Sequence, residues 1–205
     1  ITARVTSSDQ LPRELIVQKI TDRWSPWVYG NSGKSLAESM GELISLRGGT
    51  LATAESCTGG MLSELVVRVV GASDWFKGGL VAYSNDMKVS QLGVEKNLID
   101  AHGAVSAEVV SAMCQGAIEF TGATCALSTS GIAGPTGGST EKPVGTVYIA
   151  SCVEGVTQVR LFRFSGSRDA VIRRAACSAM QMLRLQLCGN SATEMHWQQG
   201  ASIQC

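Results

Sequence analysis

Seven residues, Ala54-Glu55-Ser56-Cys57-Thr58-Gly59-Gly60, stand between an apolar, β-prone run (Leu51-Ala52-Thr53-Ala54) and an amphipathic segment carrying Met61, Leu62, Leu65, Val66 and Val69. The order reads as strand, tight polar turn, helix. It therefore commits this part of the chain to a β–α unit with hydroxyls at a helix N-terminus. Unpaired backbone N–H groups and the positive end of the helix dipole favour an anion or oxyanion there. Gly59 and Gly60 allow close approach to the backbone. Thr58 is expected to fill the N-cap position, which leaves Ser56 available for other work.

The rest of the chain extends this pattern. Ser35-Leu36-Ala37-Glu38 forms a capping box ahead of a helical face of Leu36, Met40, Leu43 and Ile44, closed by Gly48-Gly49. Gly78–Tyr83, Thr124–Ser130, Gly145–Cys152 and Val156–Phe164 read as strands, the last antiparallel to its predecessor. Ser106 caps a helix striped with Val110, Met113, Cys114, Ala117 and Ile118, and a closing helix carries Ile172, Ala176, Met180, Leu183 and Leu187. Helices alternating with strands predict an α/β fold, a three-layer α/β/α sandwich with a mixed, mostly parallel sheet. We assign residues 34–188 to this domain, 1–33 to an extension without sustained periodicity, and 189–205 to a polar tail.

Bulk properties exclude several classes. Lys+Arg and Asp+Glu balance at 17 each, so no global basic field favours nucleic acid or an anionic membrane. No apolar run approaches the roughly 20 residues that span a bilayer. Ile1-Thr2-Ala3-Arg4 does not read as a secretory signal. Seven cysteines without a CxxC pair, with Cys125, Cys152 and Cys177 inside apolar runs, suggest buried thiols of a reducing compartment. A cytoplasmic location is the expectation. No His/Cys/Glu cluster has metal-ligand spacing, so no metal is expected.

Ser56 and Cys57 are rival nucleophiles, since a thiol at a helix N-terminus has a lowered pKa. Either needs a base. His196 lies in the tail, and His102 reads as a turn or capping residue. Lys88, in Tyr83-Ser84-Asn85-Asp86-Met87-Lys88, is the better candidate. The end of the second strand reaches the sheet edge that carries Ser56 if the two strands run parallel, and a desolvated lysine can be neutral enough to take a hydroxyl proton. On spacing alone, an exposed helix lysine is the commoner outcome. Tyr83 could orient Lys88 or pack on a substrate ring. The loop Ser130–Ser139 carries Gly131, Gly134, Gly137 and Gly138 between hydroxyls at a strand end, a backbone-donor cradle suited to phosphate or carboxylate. It matches neither nucleotide fingerprint, GxxxxGK[ST] or GxGxxG. Arg168, opening the last helix against the dipole, reads as an anion clamp.

Thr53–Gly60, Tyr83–Lys88, His102-Gly103-Ala104-Val105-Ser106 and the stretch from Ser130 to Tyr148 together resemble the CinA carboxy-terminal domain family, over roughly residues 35–187. The resemblance is to its stand-alone members and implies hydrolysis of nicotinamide mononucleotide to nicotinate mononucleotide and ammonia. It also implies no cofactor, a three-layer sandwich and a homo-oligomer. It places the nucleophile on Ser56 rather than Cys57, and the base on Lys88. Thr58, Gly59, Gly60, the glycine loop with Ser139, and Arg168 are then expected to bind the nucleotide. Two other readings carry the same motifs: a non-catalytic nucleotide-binding module, and an amidase for another amide.

Overall fold

The computed structural model describes residues 10–30 and 33–190. Helix α1 (Gln10–Trp24) lies in the segment where the sequence shows no sustained periodicity. The elements that follow are α2 (Leu36–Leu46), β1 (Leu51–Glu55), α3 (Met61–Val67), β2 (Phe76–Val81), α4 (Asn85–Leu92), α5 (Lys96–His102) and α6 (Ala107–Thr121). The chain continues through β3 (Cys125–Gly131), β4 (Thr146–Val153), β5 (Val156–Arg163) and α7 (Arg168–Leu187). The short helix α5 had no counterpart in the sequence reading. The tail beyond residue 190, with His196, lies outside the described residues.

The five strands form one sheet in the order β2-β1-β3-β4-β5. β1 runs parallel to both β2 and β3, whereas β3–β4 and β4–β5 are antiparallel. The mixed sheet is thus parallel only in its β2-β1-β3 half. A parallel pair needs a crossover, which helices supply between β1, β2 and β3. The connections from β3 to β4 and from β4 to β5 contain no helix, and the second is the tight turn around Glu154-Gly155.

Helices cover both faces. On one, Met40 and Ile44 of α2, Leu62 and Val66 of α3, and Val171, Ala175, Ala179 and Leu183 of α7 pack on Leu51, Leu127, Val147 and Ile149. On the other, Leu92 of α4, Ile99 of α5 and the α6 stripe Val109, Val110, Met113, Cys114 and Ala117 pack on Ala52, Ala54, Ala126 and Ala150. The strand side chains are therefore large toward α7 and small toward α6. Each fully buried Leu, Ile or Met contributes about 1.5–3 kcal/mol. Every buried side-chain nitrogen or oxygen among the described residues has a hydrogen-bond partner.

Two features of this frame matter for chemistry. Glu55 pairs with Val81 on one side and Thr129 on the other, so Ser56, Ala82 and Ser130 all emerge from the same carboxyl edge. The chain also switches sides at β1, the position where open α/β sheets place ligands. In α6, a Cβ at Gly116 would stand 1.9 Å from the Leu92 carbonyl oxygen. Glycine there lets α4 lie directly against α6, which fixes the height of α4 above the sheet.

Candidate active site

Ser84 starts α4, its Oγ accepting the Met87 amide at 3.2 Å. Lys88 follows one turn later. Helical side chains lean toward the N-terminus, so Lys88 is directed back over the end of β2. Its Nζ lies 3.1 Å from Ser56 Oγ, 3.0 Å from the Ala82 carbonyl and 3.1 Å from the Tyr83 carbonyl. Lys88 is only 1% exposed, against the surface lysine that spacing alone favours. Burial holds its pKa below the ordinary lysine range.

The three partners also constrain how the amine works. Carbonyls only accept. A neutral amine has two N–H groups and one lone pair, so it satisfies both carbonyls and turns the lone pair to the Ser56 hydroxyl. As an ammonium it offers a third donor to the same oxygen. One geometry therefore serves both protonation states. Ser56 itself is buried, and its amide donates to the Thr129 carbonyl at 3.0 Å.

The turn after β1 differs from the sequence expectation in one respect. Thr58 is not the helix cap; its hydroxyl instead pairs with Thr129 Oγ1 at 2.7 Å. The N-cap is Gly60, in the left-handed region. The helix end is closed by Glu55, whose side chain is fully buried. Its carboxylate accepts the amides of Gly60 (2.9 Å), Leu62 (3.0 Å) and Ser63 (2.8 Å) and the Ser63 hydroxyl (2.6 Å). An intramolecular anion thus occupies the place expected for a substrate oxyanion. Gly59 N–H points to the Ser56 carbonyl at 3.2 Å. Among the described residues, the amides of Cys57 and Thr58 donate to no other residue, whereas those of Gly59 and Gly60 are engaged within the turn. A carboxylate just ahead of a Gly-Gly helix start was the signal available for Glu55.

Burial pushes the Cys57 thiol up to about 12, which disfavours the thiolate that a nucleophilic cysteine needs. Cys125 and Cys152 are buried, whereas Cys177 lies on the outer face of α7 and is exposed. His102 ends α5, where its ring faces Glu108 at 3.7 Å and its carbonyl accepts Lys142 Nζ at 3.0 Å. Among the described residues no group of three or more His, Cys, Asp or Glu could hold a metal ion.

The glycine loop returns to its origin. Ile132 N–H donates to the Thr146 carbonyl at 2.8 Å and Gly145 N–H to the Ile132 carbonyl at 2.7 Å. Gly131 is the last residue of β3. Ser139 is exposed, and its hydroxyl closes a local turn by accepting the Lys142 amide at 3.0 Å. The amides of Thr136, Gly137 and Gly138 make no internal hydrogen bond among the described residues. Arg168, first residue of α7 behind the Ser167 cap, donates to the Gly134 carbonyl (2.8 Å) and to the Tyr83 hydroxyl (3.2 Å). The structure thus brings the loop, Arg168 and Tyr83 together at the edge that carries Ser56 and Lys88. The hydrogen bond from Lys88 goes to the Tyr83 carbonyl, and Tyr83 as a whole is 61% exposed.

Comparison with known proteins gives the same frame. Residues 33–187 match the CinA C-terminal domain. A CinA-like protein of Thermotoga maritima is 47% identical over 174 residues, covering 85% of this chain and 42% of the relative. A CinA-like protein of Kosmotoga olearia is 40% identical over 189 residues, 91% of this chain and 46% of the relative. The chain spans less than half the length of these curated relatives. Among solved structures, a CinA superfamily protein from Klebsiella pneumoniae 700603 superposes with a TM-score of 0.73 at 34% identity, over 75% of this chain and 96% of that one. The competence/damage inducible protein CihA of Agrobacterium tumefaciens gives 0.70 at 32% identity, over 78% and 99%. On this match of sequence and fold together, the chain belongs to the CinA C-terminal domain family.

Proposed function

We propose that the protein is a cofactor-independent amidohydrolase that converts nicotinamide mononucleotide and water to nicotinate mononucleotide and ammonia. The observation that carries this reading is the buried Lys88 amine, 3.1 Å from the Ser56 hydroxyl and tied to two carbonyls. Neutral Lys88 takes the Ser56 proton as Oγ attacks the carboxamide carbon. The amides of Cys57 and Thr58 receive the oxyanion, each good donor contributing about 3 kcal/mol. Protonated Lys88 then gives its proton to the leaving nitrogen, and ammonia departs. Lys88, neutral again, activates the water that hydrolyses the acyl-enzyme. The unpaired amides of Thr136–Gly138, with Arg168, bind the 5′-phosphate, and Tyr83 lines the mouth of the site beside Arg168.

The choice of substrate rests on the family resemblance together with this anion cradle. The deciding experiment is ammonia release from nicotinamide mononucleotide, with nicotinamide and its riboside in parallel and Ser56→Ala and Lys88→Ala as controls. Turnover that needs the 5′-phosphate and is lost in both folded variants supports the proposal. Equal turnover of the riboside points to another amide as substrate, and no turnover by wild type points to a binding module. We infer a homo-oligomer in addition, which light scattering of the purified protein tests directly.

A further inference from the structure

Glu55 has no place in the chemistry above, yet it is the most heavily hydrogen-bonded side chain next to the nucleophile. Its carboxylate is fully buried and accepts four hydrogen bonds, three from consecutive or near-consecutive amides of the α3 start and one from Ser63 Oγ. Ser63 Oγ in turn pairs with Thr53 Oγ1 at 2.8 Å. The chain of polar groups runs from β1 to α3 beneath the turn that carries Ser56. Gly79 of β2 makes room for it: a Cβ there would stand 2.2 Å from Ser63 Oγ and 2.3 Å from Thr53 Oγ1.

A carboxylate this deep in the fold requires all its donors, because a buried charge with unmet hydrogen bonds is costly. The donors in turn have no other acceptor at the start of α3. Glu55 and the α3 start therefore lock each other, and the turn between them, Ser56–Gly59, has both ends fixed. While Glu55 takes the amides of Gly60, Leu62 and Ser63, those of Cys57 and Thr58, the two residues after Ser56, donate to no other residue among the described residues.

We propose that Glu55 is a positioning residue for acyl transfer: its buried carboxylate, held by Ser63 and the α3 amides, sets the Ser56 turn so that the Cys57 and Thr58 amides meet the oxyanion. The inference rests on Ser56 being the nucleophile, not on the identity of the amide. Charge, rather than shape, is what the arrangement demands. Glutamine is isosteric but would direct an NH2 group at amide donors, whereas aspartate is shorter and reaches them less well but presents only acceptors.

The test compares Glu55→Gln, Glu55→Asp and Ser63→Ala with wild type, each checked for folding by circular dichroism. Two rates are read: labelling of Ser56 by a fluorophosphonate, mapped by peptide mass, and turnover of nicotinamide mononucleotide. The expected result is labelling and kcat lowered about 100-fold in Glu55→Gln and about tenfold in Ser63→Ala. KM should stay within about twofold and the acid limb of the pH profile, which belongs to Lys88, should not move. Glu55→Asp should retain more activity than Glu55→Gln. Wild-type labelling in folded Glu55→Gln, or Glu55→Gln outperforming Glu55→Asp, overturns the proposal. If Glu55→Gln does not fold, Ser63→Ala labelling at the wild-type rate overturns it. Wild type that labels but releases no ammonia defeats only the substrate assignment, and the labelling rates still decide the role of Glu55. A wild-type Ser56 inert to the probe overturns both.

Discussion

The turn after β1 spends its polar groups internally, whereas the loop after β3 keeps its own in reserve. In the first, Glu55 binds three amides and a hydroxyl, Thr58 pairs with Thr129, and among the described residues the amides of Cys57 and Thr58 donate to no other residue. In the second, the closing hydrogen bonds lie at Ile132, Gly145 and the Ser139–Lys142 turn, and among the described residues the amides of Thr136–Gly138 are unspent. The two segments share a sheet edge and both contain adjacent glycines, yet they are suited to different tasks. A nucleophile needs its geometry fixed before substrate arrives, since misplacement by about 1 Å can cost 100-fold in rate. A phosphate cradle needs donors without partners, which the ligand then satisfies. In the proposed function, the internally held turn is where bonds change, and the loop with its donors in reserve is where the phosphate is held.

This contrast can be broken at several points. The largest effect is expected from the reacting pair: Ser56→Ala or Lys88→Met should lower kcat by about 10⁴-fold while the far-ultraviolet spectrum is retained. Measured single-turnover rates check this, and a loss below tenfold in either variant would remove that residue from the chemistry. On the binding side, Arg168→Ala should raise KM for the nucleotide about 30-fold with kcat changed less than threefold, because the phosphate does not react. Steady-state kinetics separate the two. A fall in kcat instead would place Arg168 with the fixed turn rather than with the cradle.

A smaller effect is expected within the loop. Gly137 has φ of +88°, and an added Cβ would meet only Ile132 Cγ2 at an ordinary 3.9 Å, so Gly137→Ala meets conformational strain but no clash. It should cost about 1 kcal/mol of stability and raise KM severalfold, read by urea unfolding and kinetics.

The pH dependence tests the fixed side. Because burial lowers the Lys88 pKa, kcat/KM should rise with pH through a value below the ordinary lysine pKa of 10.5. Between that depressed pKa and 10.5 the unfolded chain binds the proton that the folded one has lost, so stability should also rise with pH across this window. Lys88→Met should abolish that rise in a series of thermal melts. The smallest effect is reserved for Cys57→Ala, which removes a thiol held up at about 12 but keeps the backbone amide. Activity should stay within about threefold of wild type, at a stability cost of about 1 kcal/mol.

Most elements could be read from the chain because caps and apolar periods are local signals. Ser35, Ser106 and Ser167 each accept an amide three residues on, and the stripe from Val110 to Ala117 is buried as its spacing indicates. The sequence missed features whose cause lies elsewhere in the fold. Helix α1 carries no clear apolar stripe, so periodicity could not find it. Thr58 has the residue type of a cap, but a carboxylate five residues before Gly60 reaches the helix end first. Cys177 sits in an apolar run but faces outward, since helical period rather than local hydrophobicity decides which side is buried.

By itself, the sequence determined the α/β class, the turn that presents Ser56, the strand-end glycine loop, and the short list of groups able to act as nucleophile, base and anion clamp. Tertiary structure decided which of them meet. Lys88, a base candidate by sequence, reaches Ser56 only because β1 and β2 pair in parallel register and Gly116 lets α4 lie close to α6, bringing Nζ within 3.1 Å of a hydroxyl 32 residues away. Its lowered pKa follows from burial that no local window contains. Residue type sets what a side chain can do; its desolvation and its partners are properties of the packed whole.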